Sequence, residues 1–239
     1  MRPVVPVALA LAFLGSVLGP AAAAERPVVV ELFTSQSCSS CPPAEALIGR
    51  LAHEGGDVLP LAFHVTYWNH LNWRDPYALT AATARQDAYA ARLGGPTYTP
   101  QAVIDGTVGV VGSDEARVRG AMARARAVGS GIPVALTREG DRYSVRIGPG
   151  TGAAQVLLVG FDPSHTTRVL RGENAGRTLE QANVVRSIQD LGRWSGGAAT
   201  LAAARPEGDT AAVLLQAEDG RILGAARLDP NLAPREALR

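Results

Sequence analysis

Apolar positions follow two rhythms along the chain, and the change from one to the other divides it. Pro27 to Phe33 reads PVVVELF, an unbroken β-branched run that predicts a buried strand. From Cys38 to Glu54 the apolar residues Ala44, Leu47, Ile48 and Leu51 recur at helical spacing. Pro42 and Pro43 lie in the first turns, where a missing N–H costs least, and Gly55-Gly56 ends the helix. Val58 to Val65 predicts a second apolar strand, followed by the polar and aromatic stretch TYWNHLNWRDP. Pro76 to Leu93 is rich in strong helix formers, and Gly94-Gly95-Pro96 stops it. Ala102 to Ile104 and Thr107 to Val111 flank Asp105-Gly106, a hairpin-turn signal. Ser113 is placed to cap a third helix running to Val128, with Glu115 in its first turn.

This order is strand, helix, strand, helix, strand, strand, helix. The first two strands can pair in parallel through a right-handed crossover, and the last two form an antiparallel hairpin. It predicts an α/β thioredoxin-like domain over residues 25–130. Gly129-Ser130-Gly131 reads as a linker. Beyond it the rhythm changes to short strand candidates: Pro133–Leu136, Arg142–Ile147, Ala154–Phe161, Thr166–Leu170, Asn183–Ile188, Ala199–Ala203, Ala211–Gln216 and Ile222–Leu228. Turn signals such as Glu139-Gly140-Asp141 and Glu218-Asp219-Gly220 separate them, which predicts a mainly antiparallel, sandwich-like β domain over 131–239. Leu179 to Arg193 also carries a partly helical pattern.

The first 24 residues have the three-part pattern of a secretory signal peptide. Arg2 gives a positive start, Val4 to Leu18 is largely apolar, and Ala22-Ala23-Ala24 precedes Glu25 as a cleavage site. The apolar core falls short of the ~20 residues that a spanning helix needs. Cleavage after Ala24 and a periplasmic or secreted location are therefore expected, with no membrane span once the signal is removed.

Composition narrows the chemistry. Of 239 residues, 46% are hydrophobic and 19% charged, a globular balance that excludes a disordered or coiled-coil chain. All 23 basic residues are Arg, against 22 acidic ones, for a net charge of +1. A near-neutral chain carries no electrostatic footprint for nucleic acid. Without Lys, Schiff-base and P-loop chemistry are excluded.

The two cysteines, Cys38 and Cys41, are three positions apart, after a strand and at the start of a helix. The partial positive charge and free N–H groups of a helix N-terminus favour a thiolate. This predicts an exposed nucleophile at Cys38 and a less exposed resolving thiol at Cys41. Two other readings stand beside it: a static disulfide, which across so short a loop stabilises little, and a metal-holding dithiol. Zinc would need His64 and His70 to complete its ligands, and for copper(I) the chain offers only Met1 and Met122 as soft partners. No cofactor is called for.

Other candidates surround the pair. Pro100, after Tyr98-Thr99 and before the third strand, is placed to be cis and to face the dithiol, with Thr99 beside it in contact with substrate. Glu31, a carboxyl inside an apolar strand, is either a proton acceptor for Cys41 with a pKa raised by burial or the partner of an Arg. Tyr67, Trp68 and Trp73, with Asp75, either wall a substrate groove or plug the gap beneath a long loop. His64, in an apolar strand, reads as a core histidine.

The segments VVVELFTSQSCSSCPPAEALI, HVTYWNHLNWRDP, RQDAY, TPQAVIDG, GENAGRTLEQANVVR and LGRW together resemble the DUF1223 family of secreted thioredoxin-like proteins. The resemblance extends over nearly all of residues 27–228. It implies a thioredoxin-like domain with an added β-rich domain, exported from bacteria, and redox roles for Cys38, Cys41 and Pro100. It names no substrate. Ser-Ser stands between the cysteines where common thioredoxins have Gly-Pro, so the direction of electron flow stays open. Glu173, Asn174 and Arg177 either reach the dithiol across the domain interface or form a hydrogen-bonded structural loop.

The expected function is thiol–disulfide exchange with a thiol- or disulfide-bearing protein or small molecule. The alternative is a binding module for copper or an envelope protein.

Overall fold

The computed structural model describes residues 26–129 and 131–228. The expected signal peptide lies outside them. In chain order the elements are β1 (Val28–Thr34), α1 (Pro42–Glu54), β2 (Val58–His64), α2 (Thr80–Leu93), β3 (Gln101–Ile104), β4 (Val108–Val111) and α3 (Glu115–Arg126). They continue as β5 (Val134–Glu139), β6 (Arg142–Ile147), β7 (Ala154–Arg168), β8 (Thr178–Trp194), β9 (Ala199–Ala204), β10 (Thr210–Ala217) and β11 (Ile222–Arg227). The side chain that caps α3 is Asp114, which accepts from the Arg117 N–H, rather than Ser113. None of the described helices is long and apolar enough to cross a membrane.

The expected pairing of an α/β thioredoxin-like domain with a separate sandwich-like β domain is overturned. One mixed eight-stranded sheet runs through both halves in the order β11-β10-β7-β8-β2-β1-β3-β4. Strands take up 43% of the described residues and helices 19%, so the molecule is mostly β. The seam is the parallel junction of β8 with β2, where Val184 pairs with Ala62. Beside it the Asn183 amide, on a residue with φ of 49°, donates to the Pro60 carbonyl at 2.7 Å.

The cause of the difference is the length of β7 and β8. The sequence pattern suggested several short strands and a partly helical stretch. The structure has one hairpin with arms of 15 and 17 residues. Its outer arm, through Asp162, Pro163 and His165, is polar, and proline inside a run argues against a strand. The arm pairs because its far half docks on the first half of the chain, a partnership that no local period records. The ladder shifts register between Gly160 and Phe161.

Three apolar clusters hold the layers. On one face Val29, Phe33, Leu61 and Phe63 meet Tyr89 of α2, and the same cluster includes Leu157, Val159 and Leu214 from the second half. On the opposite face Val28, Val30 and Leu32 pack under α1 and α3. The third cluster joins the three-stranded sheet β5-β6-β9 to Val156, Leu158 and Val213 of the large sheet. Alternation along each strand assigns successive residues to opposite faces.

A second tie across the halves lies at the β3–β4 turn. Asp105 accepts from Arg26 at 2.6 Å, and its backbone carbonyl accepts from Ile222 N at 3.0 Å. Gly106 has φ of +68°, and a Cβ there would lie 1.9 Å from the Gly220 carbonyl oxygen. Gly106→Ala should therefore destabilise the fold. Left-handed backbone contributes about 1–2 kcal/mol and overpacking about 1–3 kcal/mol. Because the sheet is continuous, denaturant titration should show one transition at a lower midpoint. Separate unfolding of the two halves would refute the single-sheet account.

Candidate functional site

The chain leaves β1 at Thr34 and enters α1 at Pro42 through a loop that is buried from Ser35 to Cys38. Cys38 and Cys41 are joined by a disulfide. Cys41 is the N-cap of α1, with Pro42 and Pro43 at the next positions. The expectation of an exposed Cys38 is corrected: Cys38 is 1% and Cys41 0% accessible. Only Ser39 and Ser40 between them reach solvent, and the Ser40 hydroxyl lies 3.4 Å from the Cys38 Sγ.

A buried loop must have its polar groups paired. Here the partners come from three directions. Asp75 Oδ2 accepts from the Gln36 N–H at 2.8 Å. Trp73 Nε1 donates to Gln36 Oε1 at 3.0 Å, and the Ser37 hydroxyl donates to the Trp73 carbonyl at 2.9 Å. From the second half, Asn174 Nδ2 donates to the carbonyls of Gln36 and Cys38, at 3.0 and 2.9 Å. Glu173 Oε2 accepts from the Ser39 N–H at 3.0 Å. Residues 172–177 thus form a strap over the disulfide loop, and Arg177 braces it by donating to Asn174 Oδ1 at 3.1 Å.

A polar network lies buried beneath the loop. Glu45 stands four residues after Cys41, one turn along the same face of α1. Its Oε1 accepts from the Thr34 hydroxyl at 2.9 Å and from Gln181 Nε2 at 3.0 Å. Gln181, on β8, accepts from Gln36 Nε2 at 2.7 Å, and its amide nitrogen lies 3.5 Å from His64 Nε2. His64 Nδ1 meets Asp75 Oδ2 at 2.7 Å, and both side chains are wholly buried.

Burial pushes the Glu45 carboxyl above its ordinary range, against smaller opposing effects of His64, Thr34 and Gln181. Burial pulls the His64 imidazole down, but the Asp75 and Glu45 carboxylates outweigh it and leave its pKa raised. Asp75 is lowered: burial works against this, and the His64 charge with the Gln36 and Tyr77 N–H groups prevails. The Glu173 carboxyl is lowered by its hydrogen bonds to Ser39. The site thus sets a carboxyl whose protonated form burial favours beside a His–Asp pair whose charged forms each favour the other.

The other predicted residues divide. The Thr99–Pro100 bond is cis, and Pro100 is buried. A Cβ on Gly112 would lie 3.3 Å from both Pro100 Cβ and Ala44 Cβ, so Pro100 borders the first turn of α1. The Thr99 hydroxyl accepts from Trp68 Nε1 at 2.8 Å, and the Tyr67 hydroxyl donates to Gln86 at 3.2 Å. Tyr67 and Trp68 are half-buried against the core, whereas Trp73 touches the disulfide loop itself. His70 is exposed.

Glu31 sits elsewhere. It lies with Val29 and Phe33 on the α2 face of the sheet, opposite α1. There it makes a bidentate pair with Arg85 and accepts from the Tyr89 hydroxyl at 2.6 Å. Strand alternation is the reason, since an odd position in β1 faces away from the helix that bears Cys41. The carboxyl under the disulfide is Glu45, which sequence reasoning missed. A signal was there: Glu45 falls on the apolar face of α1, between Ala44 and Leu47 and in line with Cys41. Gln181 had a weaker one, the inward alternation of Leu179 and Gln181.

The network fixes a pH dependence. Stability from Asp75, whose pKa is lowered, is present above its ordinary value of 3.8 and is lost as pH falls through the folded value. Stability from His64, whose pKa is raised, is complete below 6.5 and is lost as pH rises through the folded value. Removing one member of such a buried pair costs about 3–5 kcal/mol. Asp75→Ala should destabilise by that order below pH 6.5, with a gap to the wild type that narrows at higher pH. Denaturation across pH measures it, and a gap that widens with pH would sink the assignment of a charged pair.

Comparison with known proteins adds three findings. No curated protein matches the chain. The crystal structure of protein AGR_C_4864 from Agrobacterium tumefaciens is 34% identical, with a TM-score of 0.75, over 88% of this chain and 97% of that one. HBP35 of Porphyromonas gingivalis shares the fold at a TM-score of 0.56, with 13% identity over 90% of this chain and 80% of that one. The family model described as "Protein of unknown function (DUF1223)" matches residues 29–216, and with that match the chain belongs to the DUF1223 family.

Proposed function

We propose that this protein is an exported thiol–disulfide exchange protein acting through Cys38 and Cys41. The observation that carries the reading is the disulfide at the mouth of α1 with a buried protonatable carboxyl, Glu45, one turn below Cys41. Exchange with a partner dithiol proceeds in two steps. A partner thiolate attacks Cys38 Sγ, the Cys38–Cys41 bond breaks, and Cys41 leaves as a thiolate. The second partner thiolate then attacks the partner sulfur of the mixed disulfide and releases Cys38. The partner is oxidised to a disulfide, and the pair takes up two electrons and finally two protons. Glu45, whose pKa burial raises, is placed to pass a proton to the Cys41 thiolate. No metal or cofactor enters either step.

Equilibration with glutathione tests the reading. A potential within about −120 to −270 mV fits a dedicated exchanger, whereas a value below about −300 mV marks a structural bond. The burial of both sulfurs favours that second, structural reading, so the potential decides between them. Cys38→Ala should abolish dithiol oxidation, and Cys41→Ala should accumulate mixed disulfides at Cys38.

Export rests on the sequence of residues 1–24. Protein recovered from the cell envelope should begin at Glu25 by N-terminal sequencing. Recovery of the intact N-terminus from the cytosol would defeat this part of the reading.

A further inference from the structure

The strap is bonded to the backbone of the loop that carries the disulfide. Cys38 and Cys41 are both buried, yet Ser39, Ser40 and Pro43 around them are exposed. A shallow cleft lined by Ser39, Pro42, Pro43, Arg177, Thr178 and Leu179 opens beside them. Asn174, itself 1% exposed, holds the Gln36 and Cys38 carbonyls. Glu173 is exposed and accepts from the Ser39 N–H, in the loop between the two cysteines and two residues before the N-cap of α1. A thiolate approaching the loop through Ser39 therefore meets a carboxylate bound to that residue's N–H, while Arg177 stands in the cleft lining. Gly172 completes the fit: it has φ of +79°, and a Cβ there would lie 3.1 Å from the Leu71 carbonyl oxygen.

We infer that Glu173 and Asn174 are positioning residues that gate the Cys38–Cys41 bond, Asn174 by latching the strap over it and Glu173 by repelling anionic thiols. This rests on the exchange reading above. In the closed state the bond is covered. Lifting residues 172–177 releases the Ser39 N–H and leaves the Cys38 carbonyl with only its Cys41 N–H, and opens Cys38 to attack. A partner that brings its own donor to the Cys38 carbonyl and its own acceptor to the Ser39 N–H, as an extended peptide backbone does, replaces what the strap gives up. The geometry thus favours a cysteine within an extended polypeptide over a small anionic thiol. That preference fits the cleft, where Pro42, Pro43 and Leu179 line the same opening as Ser39.

Two reductants separate the latch from the charge. A neutral phosphine attacks the disulfide and, with water, yields a phosphine oxide and two thiols. A small anionic thiol attacks as the thiolate. Asn174→Ala removes the two bonds to the loop and the Arg177 brace, and should raise both reduction rates by about tenfold or more. Glu173→Gln keeps an acceptor for the Ser39 N–H and removes only the charge. It should raise the thiol rate about two- to fivefold at low salt, less at high salt, and leave the phosphine rate unchanged. Unchanged rates in folded Asn174→Ala would overturn the latch, and an unchanged thiol rate in Glu173→Gln would overturn the charge barrier. Should Asn174→Ala not fold, Asn174→Asp, which keeps the size but loses the amide donor, takes its place with the same expectation. Phosphine access does not depend on catalysis. An inert wild type with a gated bond would defeat the exchange reading alone, and an active wild type with an ungated bond would defeat this inference alone.

Discussion

Burying the Thr34–Cys38 loop is the constraint on which the rest of the structure turns. Five consecutive residues there are nearly inaccessible, and four of them carry polar side chains. An unpaired buried donor or acceptor costs about 1–3 kcal/mol, so the loop is stable only where partners are supplied. α1 supplies one of them, Glu45 to the Thr34 hydroxyl, and the rest lie further off. They come from Trp73 and Asp75 on one side and from Asn174 and Gln181, in the second half of the chain, on the other. A separate first domain would leave this loop unsatisfied.

The single eight-stranded sheet follows from that need. β8 runs alongside β2, and the same strand carries Gln181 inward to Gln36, Glu45 and His64. The strap that precedes β8 is thereby brought over the disulfide loop. Sheet continuity and coverage of the cysteines are two results of one docking event. The sheet's far face shows the same economy of parts: Glu31, isolated in an apolar strand, is answered by Arg85 and Tyr89 of α2, and Gln216 of β10 joins them. Each half contributes polar groups that the other must satisfy, which is why neither behaves as an independent layer.

The chemistry at the cysteines is shaped by this coverage. A helix N-terminus favours a thiolate, and a buried carboxyl one turn below, its pKa raised, is placed to exchange a proton. Against these stand the Glu173 carboxylate and the closed strap. The surroundings of the disulfide are therefore built at the junction between the halves, by residues more than a hundred positions away in sequence from Cys38.

Local pattern was enough for much of this. The apolar runs at Val28–Thr34 and Val58–His64, the helical spacing in α1, and the Asp105-Gly106 turn fixed the elements of the first half to within a few residues. The spacing of Cys38 and Cys41 identified the disulfide pair, and the run before the third strand located the cis Pro100. Each of these depends on interactions between residues close in the chain, where period and propensity act. The length of β7 and β8, the merging of the sheets, the assignment of Glu45 rather than Glu31 to the cysteines, and the strap of Glu173 and Asn174 were decided only by tertiary structure. Strand pairing and buried polar satisfaction are relations between distant segments. A polar residue such as Gln181 looks solvent-facing until the partner that buries it is in place.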